Sequence, residues 1–215
     1  SSAMPVIGHA QSFVADKVVA GSSLAGWTQL GGSRWAMQDG LVEDRSSTLA
    51  DRWLLSPAAL QDIALSGRFK CGPECDAGVL LRAEKTPAGG WRGVFVGLTT
   101  AGQGVFRAEL DADGRFISKS PLPGAAPMIR IAPPPVANSG PPRAPGNRGS
   151  DSPTVSLPIR PTPKPFVPNE WNSFEVLLDA NILRSAMNNQ NGPSGTVDDN
   201  GDGFGAFGLY SNGAA

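Results

Sequence analysis

Short runs of alternating apolar and polar residues, each closed by a turn, occupy most of this chain. In Ile63-Ala64-Leu65-Ser66-Gly67-Arg68-Phe69 the odd positions form an apolar face and Arg68 points away from it. That period of two is the mark of a half-buried strand. Val94, Val96 and Leu98 share one face of a later run, with Phe95 and Gly97 on the other. Val79-Leu80-Leu81-Arg82-Ala83 is less polarised, since Arg82 falls on the side of Leu80. Asp39-Gly40 and Asp113-Gly114 each separate two β-compatible runs, a hairpin signal because glycine takes the positive φ the turn needs. Strands are predicted at 34–37, 41–43, 52–56, 63–71, 78–85, 93–99, 104–110, 115–119, 173–178, 182–187 and 204–210. One helical turn is predicted at 57–61, capped by Ser56 with Pro57 in the first helical position. Strands apolar on one side stack into a two-layer sandwich, and 215 residues suit one large sandwich. The chain reads as all-β.

From Pro121 to Pro168 the pattern stops. Fifteen of the twenty prolines lie there, and proline can neither donate to a ladder nor change its φ. This stretch reads as a long Pro-rich insertion (121–168), with Met128-Ile129-Arg130-Ile131 as an apolar island. The strands after it are too few to form a sandwich alone, so 11–215 is one domain. The small, apolar Ser1–Ala10 reads as the remnant of a signal peptide, the alternative being an ordinary disordered terminus. A sandwich usually closes with a further strand beside its first ones, so the sequence reads as a fragment without that strand. An exported protein, secreted or periplasmic, is the expectation.

Charge narrows the partners. Lys and Arg total 18 against 19 Asp and Glu, which argues against nucleic acid. No apolar run approaches the roughly 20 residues of a bilayer span. Cys71 and Cys75 bracket Gly72-Pro73-Glu74 between two predicted strands, a spacing that suits a disulfide clip or two free thiols. Zinc wants four ligands, and the single histidine, His9, is distant in sequence.

Gly26-Trp27, Trp35, Asp39-Gly40, Gly78, Arg82, Glu170-Trp171-Asn172 and Gly205-Ala206-Phe207-Gly208-Leu209 recur in order along residues 24–212. In these motifs the chain resembles the 3-keto-disaccharide hydrolase domain family, long called a domain of unknown function. The resemblance implies a concanavalin-like jelly-roll sandwich and an exported bacterial protein of carbohydrate breakdown. Three departures stand out. Asp76-Ala77-Gly78 replaces the usual Asn-Ser-Gly, and Val94-Phe95-Val96-Gly97 lacks the glutamate many members carry. The histidine that often follows the Gly-Leu run has no counterpart near Ser211–Gly213.

Arg82 is the first candidate for chemistry, since its planar fork suits vicinal sugar oxygens or a keto group; pairing with Asp76 or Glu84 is the structural alternative. With Asp76 as base and Arg82 as electrophile, elimination from a 3-keto sugar needs no more. Paired carboxylates for glycoside cleavage could also come from Asp76, Glu84, Asp39 or Glu170. Among Trp27, Trp35, Trp53, Trp91 and Trp171, Trp91 follows Ala88-Gly89-Gly90 and is the one expected on a loop against a pyranose. The motif residues Trp35, Glu170 and Asn172 join it as expected substrate contacts. Asp198, Asn200 and Asp202 have the oxygen spacing of a calcium loop, although Leu209 stands where a bidentate glutamate belongs; a solvated acidic turn is the alternative. Two functions follow: an exported carbohydrate-active domain cleaving 3-keto-glycosides or related glycosides, or a non-catalytic carbohydrate-binding or adhesion module of a larger secreted protein.

Overall fold

The computed structural model describes residues 23–46, 49–100, 102–123, 166–197 and 203–213. The expected signal-peptide remnant at 1–10, the apolar island at 128–131 and most of the Pro-rich insertion (124–165) lie outside the described residues. Among those described there are thirteen strands: β1 Thr28–Leu30, β2 Trp35–Gln38, β3 Leu41–Asp44, β4 Arg52–Leu60, β5 Ile63–Phe69, β6 Asp76–Lys85, β7 Trp91–Gly97, β8 Gly104–Leu110, β9 Phe116–Pro121, β10 Asn172–Asp179, β11 Ile182–Met187, β12 Gln190–Thr196 and β13 Gly205–Asn212. No helix among them is long and apolar enough to cross a membrane.

Seven strands form a large sheet in the order β1-β4-β13-β6-β7-β8-β9, four form β12-β11-β10-β5, and β2-β3 stand as a hairpin. Every pairing is antiparallel. The result is the jelly-roll sandwich that the alternating pattern and the resemblance imply. Val79, Leu81, Val94, Val96 and Val105 from the large sheet meet Phe174, Val176, Leu178 and Leu183 from the small one. Ile63, Leu65 and Phe69 join this core from β5, on the face their spacing predicts.

The other face of the large sheet is apolar too. Trp53, Leu80, Phe95, Leu110 and Tyr210 form a second core, with Phe106 and Phe116 against it. Their rings pack at tilted and edge-on angles: Trp53–Tyr210 centroids are 4.6 Å apart, Phe95–Tyr210 5.2 Å and Phe95–Phe116 5.3 Å, the spacing aromatic quadrupoles favour. The turn between β8 and β9 reaches across this face, where Trp53 Nε1 donates to the Gly114 carbonyl at 2.7 Å. Gly114 has φ 88, and a Cβ there would meet Trp53 Cδ1 at 2.8 Å. Only glycine allows that approach.

The helical turn expected at 57–61 is strand instead. Pairing of β4 with β13 jumps from Gly208↔Leu55 to Ala206↔Ala59, so Ser56, Pro57 and Ala58 bulge out of the ladder. A bulge asks no hydrogen-bond donor of Pro57. Ser56, expected as a helix cap, accepts the Phe207 amide through Oγ at 3.2 Å. Two strands escaped the pattern. β1 is only three residues long, and β12 carries Gly192 and Pro193 at a sheet edge.

Candidate functional site

Asp76 and Arg82 stand six residues apart on β6, roughly 20 Å at the rise of a strand. They cannot act on one bond. Arg82 is buried, has φ 50, and lies in the bulge where pairing with β7 shifts between Leu81 and Glu84. Its Nε donates to the Gln61 carbonyl at 2.8 Å, Nη2 donates to the Ala180 carbonyl, and the carboxylate of Asp62 is 3.6 Å away. Those carbonyls belong to the β4–β5 and β10–β11 turns, so Arg82 staples the two sheets together. Expected as a catalytic electrophile, Arg82 is found buried, with its Nε and Nη2 donors bonded to backbone oxygens. Asp76 accepts the Thr99 hydroxyl, and a Cβ on Gly102 would come within 2.4 Å of its Oδ1. That carboxylate fastens the β7–β8 turn.

The expected substrate contacts disperse as well. Asn172 is fully buried: Oδ1 accepts from the Val167 amide and Asn188 Nδ2, while Nδ2 donates to the carbonyls of Val167 and Glu170. It shapes the loop before β10 and is not available to a sugar. Glu170 is exposed beside it. Trp91 is half-buried against the second core, with the Lys85 ammonium 5.4 Å from its ring. Trp35 sits in the β2–β3 hairpin with its indole nitrogen buried and unpartnered. Cys71 and Cys75 are free thiols where a disulfide clip was one expectation. Asp198, Asn200 and Asp202 lie outside the described residues. Among those described, no three His, Cys, Asp or Glu side chains converge as a metal site.

What the fold does bring together is a different set. A pocket of about 620 Å³ opens where the β1–β2 turn, the chain entering β4, the β8–β9 turn and the end of β13 meet, lined by Gly31, Gly32, Asp51, Asp113, Arg115 and Asn212. Gly31 has φ 77, and a Cβ on it would fall 1.8 Å from the Asp51 carbonyl, so glycine lets these two segments touch. Asp51 Oδ1 accepts from Tyr210 Oη at 2.8 Å and from Asn212 Nδ2 at 2.9 Å; Oδ2 accepts from the Phe116 amide at 3.4 Å. Burial and then the Asp51 bond push the Tyr210 hydroxyl well above its usual value, so it stays a neutral donor. Across the pocket, Asp111 Oδ1 accepts the amides of Asp113 and Arg115 at 2.9 and 2.8 Å, bracing that turn. Arg115 is exposed and only loosely held, 3.9 Å from Asp113 and 4.0 Å from Asp111.

Behind this wall Arg52 Nε donates to Asp44 Oδ2 at 2.6 Å, and Ser46 and Ser211 donate to the same carboxylate. Burial opposes the charge on Asp44, but the bonds from Ser211, Ser46 and Arg52 outweigh it and hold the carboxyl below its usual value. The pair pins the β2–β3 hairpin to β4. Neither Asp51 nor Tyr210 was singled out from sequence, and the one available signal was that Tyr210 is the only tyrosine of the chain.

Among curated proteins none matches this sequence. Among solved structures, the carbohydrate binding module CBM66 from Bacillus subtilis is similar at 13% identity and TM-score 0.47, over 87% of this chain and 91% of that one. A Bacillus subtilis protein of unknown function with a galectin-like fold is similar at 10% identity and TM-score 0.49, over 89% of this chain and 84% of that one. The family model of the 3-keto-alpha-glucoside-1,2-lyase-like domain matches residues 15–215. Matched over nearly its whole length, the chain belongs to this carbohydrate-related family of 3-keto-alpha-glucoside-1,2-lyase-like domains.

Proposed function

We propose that this domain takes a 3-keto-glycoside into the pocket at Asp51 and cleaves it by elimination. The observation that supports this reading is a carboxylate, a carboxamide and a guanidinium, those of Asp51, Asn212 and Arg115, lining one pocket. A ketone at C3 of a sugar acidifies the hydrogen on C2, so one base and one donor to the developing enolate oxygen are enough. Asp51 removes the C2 proton. The electrons of that C–H bond form a C1–C2 double bond as the C1–O bond to the leaving group breaks. Arg115 donates to the oxygen on C3, and the leaving alkoxide takes a proton from water. Tyr210 and Asn212 fix one Asp51 oxygen and so orient the base.

The test is turnover of a 3-keto-disaccharide by Asp51→Asn, a nearly isosteric change. The expected result is a fall in kcat/KM on the order of 10²–10³ with the circular dichroism spectrum retained. Unchanged turnover would remove Asp51 from the chemistry.

A second reading, a non-catalytic carbohydrate-binding module, is favoured by one observation. The run where many family members carry a glutamate presents Val94, Phe95 and Val96, all buried in the two cores. Binding of the keto-sugar by the unaltered protein with no product would select this reading.

A further inference from the structure

Among the described residues the two sheets of the sandwich end in β1 and β9 on one side of the core, and in β12 and β5 on the other. Three of these edges are blunted against further pairing. β1 is three residues long. β9 slips register between Glu109 and Leu110 and ends in Pro121, and β12 slips between Arg184 and Ala186 and holds Gly192 and Pro193. β5 is different. It runs for seven residues without proline and pairs with β10 in unbroken register from Ile63↔Leu178 to Phe69↔Asn172. No described strand lies on its other side. Alternate backbone N–H and C=O groups of an antiparallel edge strand point away from its partner, so β5 offers a ladder's worth of them outward.

The core is unfinished at the same edge. Ile63, Leu65 and Phe69 face the other sheet yet are only half-buried, whereas Phe174, Val176 and Leu178, one strand further in, are buried. The two ends of β5 carry opposite charges. Asp62 precedes it, with a side chain 57% exposed although its Oδ1 accepts the Ala180 amide at 2.9 Å. Lys70 follows it and is exposed. A strand that is apolar on its inner face, acidic before its start and basic after its end is complementary to itself run antiparallel.

We infer that the β5 edge takes a second copy of this chain, the two β5 strands pairing antiparallel about a two-fold axis at Ser66 and joining the two four-stranded sheets edge to edge. In that register Lys70 of each copy lies opposite Asp62 of the other, an ion pair made twice. On the inner face Ile63 meets the partner's Phe69, and each half-buried flank covers the other. Leu65 meets the partner's Gly67, which the Phe174 ring already roofs, since a Cβ on Gly67 would come 2.9 Å from Phe174 Cε1. On the solvent face the exposed Ala64 meets the partner's Arg68. A slip of one residue would turn the two apolar faces to opposite sides, and a slip of two would separate the charges. A single strand pair is a small interface, so the dimer is weak, with a Kd on the order of 10–100 μM.

Sedimentation equilibrium of the unaltered protein, from about 1 μM to 1 mM, tests this. The expected result is a reversible dimer in that range, with amide hydrogen-exchange protection along Ile63–Phe69 rising as the dimer fills. Ala64→Glu adds a carboxylate opposite Arg68 in two symmetric places and is expected to tighten the dimer about threefold to tenfold, while Ala64→Lys loosens it by a similar factor. Lys70→Glu sets like charges at both ends and is expected to loosen it at least about fivefold. These positions are exposed, so the variants keep the fold. A protein monomeric throughout, a dimer whose β5 amides exchange at an unchanged rate, or two Ala64 variants that shift the dimer alike would overturn the assignment. No sugar enters the assay, so the elimination reading and this one can fail separately.

Discussion

The two ends of the large sheet use arginine in opposite ways. At one end Arg82 is buried and gives its donors to the carbonyls of Gln61 and Ala180. At the other, Arg115 stands exposed on a braced turn at the rim of a pocket. Both are guanidiniums on or beside strands of one sheet. The lesson is that the availability of a donor, not its residue type, decides whether it can meet a substrate. A buried arginine whose hydrogens are committed to backbone oxygens is a structural tie, and moving it costs the fold before it costs chemistry.

That contrast can be broken from either end. The largest effect is expected at Arg82. Arg82→Ala leaves two carbonyls at the sheet ends without their donors, and is expected to cost about 3 kcal/mol in chemical denaturation. Arg82→Lys should recover little of it, because one ammonium cannot reproduce the planar fork. Stability unchanged in both variants, with turnover lost, would return Arg82 to the active site. A smaller effect is expected at Asp44. Its carboxyl is held low in the folded protein, so the stabilisation is present above the usual aspartate value and is lost as pH falls through the lowered one. Asp44→Asn should therefore flatten the acid limb of the stability–pH curve while the neutral region drops. An unaltered acid limb would mean that the Arg52 pair does not hold the hairpin.

Much of the fold was legible because local rules agreed with one another. The alternation through Ile63–Phe69 gives the burial found, and Asp39 and Gly40 both take positive φ, 53 and 76, as a type I′ hairpin turn requires. Pro57 misled because a bulge removes the ladder bond that proline would otherwise break, and bulges leave little trace in a pattern of period two. Arg82 misled for the same reason: its φ of 50 takes it out of the simple alternation with Leu80. The pocket was hidden more deeply. Asp51 and Tyr210 are 159 residues apart, and nothing local to either announces the other. Family motifs did not help there, since Asn172 and Arg82 turn out to maintain the scaffold.

The account rests on where a sugar touches the chain. Titrating isotope-labelled protein with a 3-keto-disaccharide and following backbone amide shifts answers this directly, whether or not turnover follows. The expected result is a continuous set of shifts at Gly31, Gly32, Asp51, Asp113, Arg115 and Asn212, lost in Asp51→Asn. Shifts clustered instead around Arg82, Gln61 and Ala180, with the pocket residues unmoved, would contradict it.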